Sequence, residues 1–130
     1  MLTALRKIIE GVSSAQTLND AMKCMVSQIK QALSADCCSI YLSETSQSGS
    51  VFRLAASDGL AESAVGKVCL GEKEGLVGLA GSRLEVINVA VARDHPGFKY
   101  LPEAGEDSYT SFLGVPIMHQ RKVLGVLVIQ

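Results

Sequence analysis

The sequence predicts an α+β domain of two or three layers, with helices placed ahead of an antiparallel sheet. Three observations predict it. Apolar residues recur at steps of three and four up to about residue 34, and from residue 37 they alternate every second position. Polar turns separate the alternating stretches, as hairpins require. The chain has 130 residues, the size of one domain with one core. Residues 1–34 are therefore expected to be a helical segment and 36–130 a sheet segment of the same domain.

Leu2, Leu5, Ile8, Ile9 and Val12 form the apolar stripe of a first short helix, which Ser13, Ser14, Ala15 and Gln16 should break. Thr17 is a candidate N-cap, with Asp20 in the capping-box position. Leu18, Met22, Met25, Ile29 and Leu33 then make a second amphipathic helix whose stripe must be buried on something. Cys38, Ile40 and Leu42 alternate with Cys37, Ser39 and Tyr41, giving a first strand. A second over 51–57 should carry Phe52, Leu54 and Ala56 on one face, joined through the polar turn 46–50. Residues 59–66 read as a loop with one helical turn, and 67–70 as a third strand. Gly75, Gly78 and Gly81 fall at steps of three in a short helix, leaving one side as bare backbone. Each costs about 1 kcal/mol of helix propensity, which makes sense if the helix presses on a sheet or a ligand. A fourth strand is expected over 84–89. The connection 90–109 carries Phe98, Tyr100 and Tyr109 and is long enough to suggest function. Residues 111–119 and 122–130 make a terminal hairpin in which Pro116 must sit at an edge or a bulge.

Composition excludes several function classes. Net charge is -1 and no block of about five like charges occurs, so neither nucleic acid nor an anionic membrane is an expected partner. No apolar run approaches the ~20 residues of a membrane span. The start lacks a secretory signal pattern, and a soluble cytoplasmic protein is expected. Cys24, Cys37, Cys38 and Cys69 match no zinc spacing and read as reduced small hydrophobes. Adjacent Cys37 and Cys38 should point to opposite sheet faces. The stretch from Gly59 to Lys67 lacks the spacing and hydroxyl of a phosphate loop, and no serine occupies a nucleophile elbow. His95 reads either as a polar anchor over a pocket or as a loop cap bonded to backbone. Glu72 and Glu74 favour the start of the glycine helix electrostatically; Glu74 could also gate an anion site there. Glu103, Glu106 and Asp107 read as a solvated cluster.

The carboxyl-terminal half carries a family pattern. It consists of Glu74-Gly75-Leu76-Val77-Gly78, Ile87-Asn88-Val89-Ala90, His95-Pro96-x-Phe98, Phe112-Leu113-Gly114-Val115-Pro116-Ile117 and Leu124-Gly125-Val126-Leu127. In this order and spacing it resembles the GAF family, from about Leu18 to Gln130. Met1-Leu2-Thr3-x-Leu5-Arg6, Cys38-Ser39-Ile40-Tyr41-Leu42, His95-Pro96-Gly97-Phe98-Lys99-Tyr100 and the stretch from Ser111 to Ile117 narrow the likeness. They are similar to the amino-terminal GAF domain of nitrogen-related phosphotransferase system enzyme I, a family of phosphoenolpyruvate-protein phosphotransferases.

The resemblance implies a GAF-like, PAS-related antiparallel sheet of five or six strands. Helices would lie on one face, and the short helix with the long loop on the other. It implies that phosphoryl transfer belongs to downstream domains, and that this part senses a small molecule, with no catalytic residue, cofactor or metal of its own. Glutamine and 2-oxoglutarate are the effectors the family suggests, and a homodimer is expected, through the stripe Leu18 to Leu33 unless that stripe packs on the sheet. The pocket would be lined by Ser39, Tyr41, Leu70, Asn88 and Phe112 from the sheet and by Glu74, Gly75, Leu76 and Val77 from the helix start, whose amides would take a carboxylate. His95, Phe98 and Tyr100 would come from the loop. Val91 departs from the pattern, standing where many members have Asp or Pro. The chain ends at Gln130 inside an apolar strand, so the usual C-terminal helix is expected to follow outside it and the dimer surface to be incomplete here. One alternative is an interaction or dimerisation module with a vestigial pocket, filled by Phe52, Leu70 and Phe112. Another is a free methionine sulfoxide reductase with Cys69, beside the pocket, as nucleophile.

Overall fold

Alternation along the first strand decides how the layers assemble. The computed structural model describes residues 2–14, 17–47, 49–72, 74–98 and 109–130. The predicted break at Ala15 and Gln16, the cluster Glu103, Glu106 and Asp107, and Tyr100 lie outside the described residues. Six antiparallel strands form one sheet: β1 (Cys38–Ser46), β2 (Gly49–Asp58), β3 (Cys69–Gly71), β4 (Ile87–Val89), β5 (Phe112–His119) and β6 (Lys122–Ile129), in spatial order β3-β2-β1-β6-β5-β4. Near the centre of the sheet Cys37 and Tyr41 enter one apolar cluster, while Cys38 and Ile40 enter another on the opposite face. The predicted opposition of the two cysteines is what is found.

The second of these faces is covered by α2 (Leu18–Ala32). The Thr17 hydroxyl caps it, accepting the Asp20 N–H at 3.0 Å. Met22 and Val26 are buried against Cys38, Ile40 and Ala56, with Met25 and Ile29 packed at the margin. The middle of the α2 stripe is thus spent on the back of the sheet, while Leu18 and Leu33 at its ends stay exposed. In front of it, α1 (Leu2–Ser14) packs on α2, where a Cβ on Gly11 would overlap the Cys24 sulfur. The helix runs through Ser13 and Ser14, past the expected break.

A bulge changes one predicted face. β1 and β2 lose register between Ile40 and Tyr41, which pair with Ala56 and Leu54, so Ala55 is the extra residue. Phe52 and Leu54 face one cluster, whereas Ala56 has moved to the α2 side. Strict alternation had placed all three together; the inserted residue inverts the parity and turns Ser57 to the face of Ser39.

That face is covered by α3 (Gly75–Arg83), whose Leu76, Val77 and Ala80 are buried. Two of its glycines report close approach. A Cβ on Gly78 would collide with the Gly71 carbonyl oxygen, and one on Gly81 with the Phe52 ring. The bare side therefore presses on the sheet. The helix ends at Leu84 in left-handed conformation, φ 55, so the expected fourth strand begins only at Ile87. The third strand is likewise shifted, to Cys69–Gly71, and the helical turn expected before it is a short 3-10 helix, Glu62–Ala64. β4 pairs with β5 only as far as Gly114. Pro116 lies beyond that, on an open edge, beside a register shift between Ile117 and Met118. Of the two alternatives for this proline, the edge is the one found among the described residues.

Two predictions follow from these contacts. Gly78→Ala should destabilise the domain by about 1–3 kcal/mol in urea unfolding, because the methyl meets backbone that cannot yield; a gain of helix propensity alone would instead raise stability by up to about 1 kcal/mol. Lys30 Nζ donates to Asp58 Oδ1 at 3.0 Å, tying α2 to the end of β2. This bond, helped by Ser27 and opposed by burial, holds the Asp58 carboxyl below its ordinary value. A depressed carboxyl stabilises the fold above its unfolded value, near 3.9, and loses that contribution as pH falls through the folded value. With both partners about a third exposed, Lys30→Gln should cost no more than about 1 kcal/mol at neutral pH. The cost should shrink below pH ~4, measured by urea midpoints across pH.

Candidate functional site

The face beneath α3 gathers most of the expected lining. Tyr41 from β1, Leu70 from β3, Leu76 and Val77 from α3 and Phe112 from β5 share one buried cluster, and Phe98 packs at its margin. Phe52 and Leu54 of β2 and Val126 and Val128 of β6 complete the wall. Ser39, expected in the lining, is wholly enclosed.

Ser39 anchors a polar corner in this apolar wall. Its hydroxyl lies 2.9 Å from that of Ser57, which also accepts the Leu60 N–H at 3.2 Å. The Cys37 sulfur lies 3.7 Å from the Ser39 hydroxyl and 4.0 Å from that of Ser57. Across the corner, the Tyr109 hydroxyl donates to the Gly59 carbonyl at 2.6 Å. Gly59 has φ 129 and lies against Cys37, with no room for a Cβ between them. Burial pushes the Tyr109 hydroxyl above its ordinary range, and the neighbouring Cys37 adds to the rise. Cys37, Ser57 and Tyr109 were not among the expected site residues. A bulge hides Ser57 from any period-two reading, and nothing local in the sequence links Tyr109 to Gly59, fifty positions away.

Other expected residues stand apart. Asn88 pairs with Leu113 and so projects to the face opposite Phe112. It is exposed and lines a cleft of about 280 Å³ with Ser34, Asp36 and Ser111. Strand alternation gives the inward positions of β4 to Ile87 and Val89, which corrects its assignment to the pocket. His95 closes the short 3-10 helix Ala92–Asp94, and its Nδ1 accepts the Gly97 N–H at 2.9 Å. This is the loop-capping role. Glu74 is exposed and turns back to β3, where its carboxylate accepts the Gly71 N–H at 3.3 Å. Gly75 takes φ 68 to begin α3 directly after that turn.

The wall offers shape and neutral hydrogen-bonding groups. Among the described residues the buried hydroxyl-bearing side chains are Ser39 and Tyr41, no charged side chain is buried, and no group of three potential metal ligands occurs. Burial, then the neighbouring Cys37 and Asp58, push the Cys38 thiol up to about 12, so it stays protonated and unreactive. Cys69 is exposed, but it neighbours the inward Leu70 on β3 and so points away from this face. Its expected place beside the pocket is corrected by the same alternation. No helix among the described residues is long and apolar enough to cross a membrane.

Comparison with known proteins agrees with this architecture. The GAF domain family matches residues 17–130. A phosphoenolpyruvate-dependent phosphotransferase system protein of Escherichia coli (strain K12) is 44% identical over 123 residues, covering 95% of this chain and 16% of that protein. The chain thus spans about a sixth of the length of this curated relative. The crystal structure of the GAF domain from an Acinetobacter phosphoenolpyruvate-protein phosphotransferase is 43% identical, with a TM-score of 0.85 over 99% of this chain and 75% of that one. The corresponding GAF domain from Coxiella burnetii, also 43% identical, gives a TM-score of 0.90 over 99% of this chain and 76% of that one. The sheet, the helices on its two faces and these similarities together make the chain a member of the GAF domain family, grouped with the GAF domains of phosphoenolpyruvate-protein phosphotransferases.

Proposed function

We propose that this chain is the small-molecule-sensing regulatory domain of a nitrogen-related phosphoenolpyruvate-protein phosphotransferase, and that it adjusts autophosphorylation by downstream domains in the same chain. Glutamine or 2-oxoglutarate is the proposed effector. The observation that supports this reading best is the polar corner of Ser39, Ser57 and the Gly59 carbonyl, set in an otherwise apolar wall, with Tyr109 bonded to Gly59 and Phe98 at the margin of the same apolar cluster. Small-molecule sites have this composition: an apolar surround with a few placed polar groups. An effector held there can shift the downstream domains only by its difference in affinity between two states, typically ~1–3 kcal/mol.

A second reading has its own support. Phe52, Leu70 and Phe112 are buried together beneath α3, the filling expected of a packing or dimerisation module. The dimer surface proposed with either reading is α1, because α2 is occupied by the sheet. Leu2, Leu5 and Ile9 are exposed along α1, at 82%, 52% and 56%, a spacing suited to pairing with a second copy. A cysteine-based reductase has the least support, since Cys69 faces away and Cys38 is held protonated.

Calorimetry and thermal melting with glutamine and with 2-oxoglutarate should show binding at millimolar concentration, weakened about tenfold or more by Phe112→Ala; no heat and no melting shift with either compound would leave the packing reading. Sedimentation should find a dimer that Leu5→Lys with Ile9→Lys converts to monomer without loss of folded signal, and a monomeric parent chain would end the dimer proposal. In native protein a thiol reagent should modify Cys69 first and reach Cys37 and Cys38 only on unfolding. Fast modification of either buried thiol would reopen thiol chemistry at this face.

A further inference from the structure

Cys37 sits at a junction between the polar corner and Gln130. Its side chain is wholly buried and contacts the Ser39 and Ser57 hydroxyls, and Gly59 rests directly on it. Gly59 in turn is held by the Tyr109 hydroxyl. The backbone of the same residue makes both hydrogen bonds of a closed pair with Gln130. Its N–H donates to the Gln130 carbonyl at 2.9 Å, and its own carbonyl accepts the Gln130 N–H at 2.9 Å. The Asp36 N–H donates to that Gln130 carbonyl too, at 2.9 Å. One residue therefore touches the candidate ligand wall through its sulfur and the end of β6 through its main chain.

We propose that Cys37 is the positioning residue through which the state of the polar corner reaches the backbone at the end of β6; the proposal rests on the sensing function above. The physical basis is tight packing. Gly59 cannot move toward the wall without displacing Cys37, since a single added carbon would already lie 2.8 Å from its Cβ and sulfur. Cys37 cannot shift without lengthening two hydrogen bonds to Gln130. A ligand that competes for the Gly59 carbonyl or the serine hydroxyls, or that displaces Tyr109, changes the position of Gly59 and thereby the register at the end of β6. Coupling of this kind needs no path through the sheet. It spans two contacts.

The test is native-state hydrogen exchange on the whole chain, comparing wild type with Tyr109→Phe, which keeps the ring and removes only the hydroxyl. Losing one hydrogen bond should speed exchange at the Asp36, Cys37 and Gln130 amides about three- to tenfold. The Leu54 and Gly66 amides, bonded to Val68 and Leu54 on the far side of β2, should change by less than about twofold. Unchanged rates at Cys37 and Gln130 overturn the proposal. A uniform acceleration at all five amides also overturns it, because that reports global destabilisation only. Cys37→Ala gives a second check: with the sulfur gone, adding Tyr109→Phe should no longer accelerate Gln130, and a further acceleration would show that Tyr109 acts elsewhere. No metabolite enters these measurements, so their failure is distinct from failure to bind glutamine or 2-oxoglutarate.

Discussion

The structure depends on burying β1 from both sides. Its central residues alternate between two apolar clusters, so the strand is buried only with α2 and α3 both in place on opposite faces of the sheet. Each layer then supplies what the others lack. The sheet gives α2 a surface for a stripe that water would otherwise meet, and α3 gives β1 and β2 a cover thin enough to lie on the Phe52 ring. At about 25 cal/mol per Å² of apolar area, this shared burial is the main favourable term for a chain of this size. The glycines of α3 are its geometric condition, because a helix with ordinary side chains there would stand off from the sheet and open the core.

Much of this was legible in the residues. Period-two alternation placed Cys37, Ser39 and Tyr41 on one face and Cys38 and Ile40 on the other. Three- and four-residue steps gave both helices, and turn chemistry gave the hairpins. The errors have separate causes. Ala56 was assigned to the wrong face because a bulge at Ala55 inverts parity without leaving a local mark in the sequence. Asn88 was assigned to the pocket through the family likeness, and its pairing with Leu113 turns it to the other face; separately, β4 starts three residues later than expected because α3 runs to Arg83. The polar corner was only partly visible. Ser39 is a serine among apolar neighbours and stands out; Ser57 and Tyr109 join it through the bulge and through a contact between distant segments, both of which are tertiary facts.

The corner also shows how a neutral site can be both stable and responsive. Each buried hydroxyl has a partner, so none carries the desolvation cost of an unpaired group. The partners are other hydroxyls, a thiol and main-chain groups, so an incoming polar ligand can exchange with them at little net cost. A charged wall would bind one class of ligand strongly and would bury an uncompensated charge when empty. A wall of serine, cysteine and tyrosine avoids that penalty.

The outer edge of β5 has a consequence for how the sheet meets other chains. Beyond Gly114 this strand has no strand partner on its β4 side among the described residues, and an uncovered row of main-chain donors and acceptors is a template for unwanted strand addition. Pro116 removes one donor from that row, and the irregularity between Ile117 and Met118 bends what remains. This edge is therefore a poor template for a further strand. A ring-closed imino acid in mid-strand serves here as a safeguard for solubility.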